Sequence, residues 1–231
     1  MAPWTLWSWE AERLTSGPAT DALVHYLVLL QSGDGSWKTH VYRPPSDASP
    51  FTFTSLAVRG LEAYCPPGRR RELQTRISRA RAWLMAAYPS DTEDKAWRLL
   101  GLRWAAAGEQ SIQEAVAVLL REQRDDGGWA QLPSLRSDAY ATGLVLYALH
   151  EAGAVPMKRS AYQRGAAWLL RAQRDDGSWF VSSRSFPLIP YFNSGFPHAR
   201  AQFISESATC WATLALIRSV PGNIDHPVHS Q

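Results

Sequence analysis

Two acids and a group of aromatic rings are the side chains here whose type and placement suit them to chemistry. Asp138 directly precedes the helix-like run Ala139–Leu149, and Glu206 stands near the start of the last such run. Brought together at one end of the fold, they would serve as an acid and its partner in proton transfer. Taken singly they read as helix caps, because a carboxylate at a helix N-terminus accepts free N–H groups and meets the positive end of the dipole. Trp97, Tyr140, Tyr147, Phe203 and Trp211 lie on or beside helix-like runs, while Tyr191, Phe192 and Phe196 lie in the loop before the last of them. Such rings hold an apolar ligand and stabilise a cation over their faces, or they fill a core.

Other chemistries find no ligand set. Asp125-Asp126 and Asp175-Asp176 look like diphosphate-metal ligands, but both pairs sit inside a repeated turn. His25, His40, His150, His198, His226 and His229 share no ligand spacing, and Cys65 and Cys210 form no paired motif. No metal and no cofactor is therefore expected, and the thiols are read as reduced and packed. A net charge of +3 with dispersed Arg residues gives no support for nucleic-acid binding. The Arg69, Arg70, Arg71, Arg76, Arg79 and Arg81 group is read as a solvated helix face, or as a surface for a phosphate-bearing ligand or an anionic membrane. With no secretory-type start and no long apolar run, the expected location is cytoplasmic, with peripheral membrane contact left open.

The elements that would position these groups are announced by one phrase written three times. It runs Gln31 to Trp37 with Gly35, Gln123 to Trp129 with Gly127, and Gln173 to Trp179 with Gly177, each after an apolar helix-like run. The glycine permits a sharp reversal, and each phrase is followed by a second run containing Thr, small residues and Leu. Aligning the second runs exposes a degenerate copy, in which Ala80–Met85 matches Gly165–Leu170 and Tyr88 stands where Gln173 does. The chain then reads as about four helical hairpins, over roughly 20–65, 69–107, 111–153 and 160–220. They are expected to form a single all-α domain spanning 1–231, with the polar tail 221–231 disordered. Thr20 or Asp21 is the expected cap of the first helix.

The Gln-x-x-x-Gly-x-Trp phrases resemble the QW motif of squalene-hopene and oxidosqualene cyclases and of the wider prenyltransferase and squalene oxidase repeat group. The final stretch, Gln173–Trp179, then Gly195-Phe196-Pro197, then Cys210–Leu216, resembles the closing repeat of those cyclases. The resemblance implies an α/α toroid, here an incomplete barrel, with two concentric helix layers around an apolar cavity. It also implies that Gln31, Gly35, Trp37, Gln123, Gly127, Trp129, Gln173, Gly177 and Trp179 are structural joints between outer helices.

The same resemblance directs attention to an Asp-x-Asp-Asp motif, whose acid protonates an alkene or epoxide in class II terpene cyclases. No Asp-x-Asp-Asp occurs in the chain. The nearest register found places Asp138 on the first acid and Tyr140 on the proton donor, and a phenol with a pKa of about 10 does not protonate an isolated alkene. The zinc-binding Asp-x-Cys of protein prenyltransferases is absent too. The expected function is a terpene cyclase-like or prenyltransferase-like protein acting on a long isoprenoid in a central cavity. Its pocket would be lined by Trp97, Tyr140, Tyr147, Phe192, Phe196, Phe203 and Trp211. The alternative is a non-catalytic isoprenoid- or lipid-binding module, with a homo-oligomer or a partner chain completing the ring.

Overall fold

Helix starts in this chain are fixed by side chains that accept the otherwise unpaired first N–H groups. Ser49 accepts from the Phe51 and Thr52 amides ahead of α3, Asp91 from the Asp94 amide ahead of α5, and Asp138 from the Ala141 amide ahead of α7. The computed structural model describes residues 2–39, 43–153, 160–185 and 191–219. Among them stand nine α-helices, one 3-10 turn at Ala199–Ala201 and no strand. They are α1 (Ala2–Ala11), α2 (Pro18–Leu30), α3 (Pro50–Ala63), α4 (Arg70–Ala86), α5 (Thr92–Trp104), α6 (Glu109–Arg121), α7 (Ala139–Glu151), α8 (Ser160–Ala172) and α9 (Gln202–Ser219). The all-α class is the expected one. The first hairpin helix starts earlier than expected: Pro18 occupies its first turn and Gly17, not Thr20 or Asp21, is the cap. The reading of 221–231 as a disordered tail lies outside the described residues, as do His40, His226 and His229.

The chain divides into two compact units, Met1–Arg121 with Arg184–Phe186, and Glu122–Ser183 with Pro187–Gln231. In the first, α3 packs on α1, α4 and α5, and α6 packs on α5. Leu6, Val24, Leu27, Trp37, Val58 and Leu73 are among the buried residues of this core. In the second, α7 packs on both α8 and α9. Every residue from Ala139 to Leu149 is buried, as a helix covered on all sides requires. The α7–α9 approach is close because Gly143 has no side chain: a Cβ there would lie 2.6 Å from the Trp211 carbonyl carbon.

The Gln-x-x-x-Gly-x-Trp segments are tight turns in which Gly35, Gly127 and Gly177 take φ of +97°, +93° and +81°. Within each, the Gln side-chain amide donates to the glycine carbonyl, at 2.9, 2.8 and 3.0 Å. The Gln31 amide also donates to the Arg76 carbonyl on α4 (2.9 Å), and the Gln123 amide to the Ala161 carbonyl on α8 (2.7 Å). Trp37 and Trp179 are buried and donate their indole N–H to the Leu27 and Leu169 carbonyls, each at 2.8 Å.

Candidate active site

A buried acidic cluster forms where α3 and α5 bring their N-termini together. The first turn of α5 follows the cap Asp91 and reads Thr92, Glu93, Asp94. Glu93 and Asp94 are 3% and 7% exposed, an unusual burial for carboxylates. The Oε1 of Glu93 accepts two hydrogen bonds, from the Thr52 hydroxyl on α3 (3.0 Å) and from the Trp97 indole N–H one turn along α5 (2.8 Å). Asp94 accepts from Ser49 at Oδ1 (2.6 Å), and from both the Ser90 amide (2.9 Å) and hydroxyl (2.7 Å) at Oδ2. Ser49 in turn caps α3, so one hydroxyl links the start of that helix to the acid on its neighbour.

This arrangement suits an acid that gives up its proton. Two donors converge on one Glu93 oxygen, and the positive end of α5 faces the same carboxyl, so the carboxylate left behind is stabilised. Asp91 differs. Burial pushes its carboxyl above the usual aspartate value and the Asp94 charge adds to this, while the Asp94 amide and the Arg184 and Lys95 charges act the other way. The Arg184 guanidinium lies 3.7 Å from Asp91 Oδ2.

Indole rings surround the buried Trp97. Its ring meets Trp4 edge-on at 5.5 Å and Trp7 at 6.2 Å, with Trp104 tilted at 6.3 Å. Trp4 and Trp7 are themselves edge to face at 5.7 Å, and the Arg59 guanidinium stacks over Trp104 at 5.5 Å. An acid and a group of aromatic faces are thus assembled on α1, α3 and α5, joined by the Glu93–Trp97 hydrogen bond.

The acids singled out in the sequence lie in the second unit. Asp138 caps α7: its Oδ1 accepts from the Ala141 amide at 2.9 Å and its Oδ2 from the Gln131 side chain at 3.0 Å. Burial raises its pKa above the usual aspartate value against the pull of those hydrogen bonds. Glu206 is exposed in α9, one turn before Cys210, whose thiol is pushed up by burial and then by the Glu206 charge. The aromatic set separates in the same way. Trp97 belongs to the first unit, whereas Tyr140, Tyr147 and Trp211 are buried in the second, with Tyr147 and Trp211 5.2 Å apart and Arg218 over Tyr147 at 4.7 Å. Phe192 and Phe203 are exposed, and Phe196 is half-buried beside His198. The loop that carries Phe192 and Phe196 is held by Gln202, which accepts from the Ser194 amide and hydroxyl.

A strict Asp-x-Asp-Asp pattern passes over Glu93. Asp91-Thr92-Glu93-Asp94 departs from it by one methylene at the third position. A pattern that admits either carboxylate there includes the segment, which stands just ahead of Trp97.

Among the described residues no group of three or more His, Cys, Asp and Glu side chains is arranged to hold a metal ion, and no helix is long and apolar enough to cross a membrane. No curated protein matches the chain. The model of the squalene-hopene cyclase C-terminal domain matches residues 89–228, more than half of the chain and a span that begins just ahead of the acidic cluster. With only helices among the described residues, as an α/α toroid requires, and this match over more than half of its length, the chain belongs to the family of the squalene-hopene cyclase C-terminal domain.

Proposed function

We propose that this protein is a terpene cyclase-like enzyme that protonates a long isoprenoid, with Glu93 as the proton donor. The observation that carries this reading is the burial of Glu93 with Thr52 and Trp97 both donating to Oε1. In the reaction the Glu93 O–H bond breaks as a C–H bond forms at the less substituted carbon of an alkene. The positive charge appears on the other carbon, where neighbouring double bonds of the substrate add to it in turn. Thr52 and Trp97 hold the resulting carboxylate, and the indole faces around Trp97 stabilise cationic charge nearby. Loss of a proton from the cyclised cation ends the reaction, and re-protonation of Glu93 restores the acid.

Asp94 and Asp91 position the first turn of α5 in this scheme, and Asp138 acts as a helix cap. The three Gln-x-x-x-Gly-x-Trp turns take the part of the family's QW joints, and the four hairpins act as one isoprenoid-binding domain in the cytoplasm. The test is incubation with squalene, oxidosqualene and geranylgeranyl diphosphate in lipid or detergent, with products followed by mass spectrometry. Conversion to cyclised product that requires Glu93 supports the reading. Recovery of all three unchanged, with bound isoprenoid extracted from the protein, points instead to a binding module.

A further inference from the structure

The same turn occurs three times, and its surroundings differ in one respect. The first two instances each receive a helix in an identical register. Gln31 donates to the Arg76 carbonyl and Gln123 to the Ala161 carbonyl. A Cβ on Gly35 would lie 2.5 Å from the Arg79 carbonyl oxygen, and one on Gly127 would lie 2.8 Å from that of Arg164. Arg76 and Arg79 are three residues apart, as are Ala161 and Arg164, and each pair stands at the same distance ahead of the next turn position, Tyr88 or Gln173. The arginine of the received helix completes the contact. Arg79 donates to the Ser32 and Gly33 carbonyls (3.3 and 2.9 Å), and Arg164 donates to Gln123 Oε1.

The third turn has the same fold but no helix described against it in that register; its described partners from outside the turn include His198, whose Nε2 lies 2.7 Å from Ser178 Oγ, and Thr209, which accepts from the Trp179 amide. Gly35 and Gly127 are buried but Gly177 is exposed, and a Cβ there would meet nothing within 4 Å. The complementary half is found on α2. Counting back from Gln31 by the same register gives Ala19 and Ala22 at the two contact positions, and both are exposed. Tyr26, Leu29 and Leu30 continue that exposure at 51%, 68% and 45%. The corresponding faces of α4 and α8 carry Arg76 and Arg79, or Arg164 and Arg171. On α2 the same register carries small and apolar residues, an exposed apolar face that docking of this kind would cover.

We infer that the turn at Gln173–Trp179 docks α2 of a second copy of this chain, head to tail, with the Gln173 amide reaching the Ala19 carbonyl and Gly177 against Ala22. Each copy carries one donor turn and one acceptor helix, so the contact is heterologous and propagates until it closes on itself or extends.

The experiment is sedimentation of the full chain over a wide concentration range, beside two variants at exposed positions. The wild type is expected to shift from monomer to multiples of the monomer mass as concentration rises. Gln173→Ala is expected to weaken this association about tenfold, as loss of one inter-chain hydrogen bond implies. Ala22→Arg supplies the guanidinium found at this register in α4 and α8, and is expected to tighten association about tenfold. A monomer at every concentration, in the wild type and Ala22→Arg alike, overturns the inference. So does association that neither substitution alters, because it would run through another surface.

Discussion

The indole N–H of Trp97 donates to Glu93 Oε1 at 2.8 Å across one turn of α5, tying the most buried acid among the described residues to a cluster of four tryptophans. Acid and aromatic faces are therefore one unit: the ring that supports the carboxylate also contacts Trp4, Trp7 and Trp104. Removing the N–H, together with the five-membered ring that carries it, tests that coupling. Trp97→Phe keeps an aromatic ring and is expected to lower turnover by about ten- to a hundredfold, the worth of a hydrogen bond to a charged group, with substrate binding less affected. Steady-state kinetics with separate kcat and KM measure it.

The turn glutamines are expected to separate into two classes. Gln31 and Gln123 bridge their own turn to a second helix, whereas Gln173 donates only within its turn among the described contacts. Gln31→Ala and Gln123→Ala should each cost about 2 kcal/mol, and Gln173→Ala about 0.5 kcal/mol. Urea unfolding at a concentration where the chain is monomeric gives the comparison.

Gly143 sets the closeness of α7 and α9. A methyl group there would fall 2.6 Å from the Trp211 carbonyl carbon and 2.7 Å from the Ala212 nitrogen, both backbone atoms that cannot turn aside. Gly143→Ala therefore forces the helices apart, at a cost of about 3 kcal/mol despite the better helix propensity of alanine. Thermal unfolding followed by near- and far-UV circular dichroism reports the loss.

Glu151 links α7 to α9 through Arg218, whose Nε and Nη2 both lie 2.9 Å from Oε1. Burial pushes the carboxyl up, but the His150 imidazole, 3.9 Å from it, and the Arg218 guanidinium outweigh it, and the group ends below the usual glutamate value. A folded-state value below the unfolded one gives stability that is present above the unfolded value and lost as pH falls through the folded one. Glu151→Gln should remove that part of the acid dependence, so that the stabilities of variant and wild type converge at low pH. Denaturant unfolding across the acid range checks it.

How much of this was legible in the sequence follows from which signals are local. Helices were readable because Leu73, Ile77, Ala80 and Leu84 recur at helical spacing on α4, and because Gly35, Gly127 and Gly177 mark turns where φ is positive. Asp138 was readable as a cap from its place before an apolar run, and Ser49 and Asp91 play the same part at other helices. Partnership across distance was not readable. Thr52 and Glu93 are 41 residues apart, as are Gln123 and Arg164, and nothing in their neighbours announces the pairing. Phe192 and Phe203 were read as pocket-lining from residue type, yet exposure depends on what packs over them, and they are exposed. Glu93 falls between these cases: Asp91-Thr92-Glu93-Asp94 matches Asp-x-Asp-Asp except for a glutamate at the third position.

The most direct test of the account is product formation by Glu93→Gln beside Glu93→Asp. Glutamine keeps an oxygen to accept from Thr52 and Trp97 and removes only the acidic proton, while aspartate restores an Asp-x-Asp-Asp sequence. With the isoprenoids named above as substrates and mass spectrometry as readout, Glu93→Gln is expected to lose at least a hundredfold in cyclised product with its fold intact, as removal of a general acid implies. Glu93→Asp is expected to remain active. Wild-type turnover in Glu93→Gln would contradict the assignment of Glu93 as the proton donor.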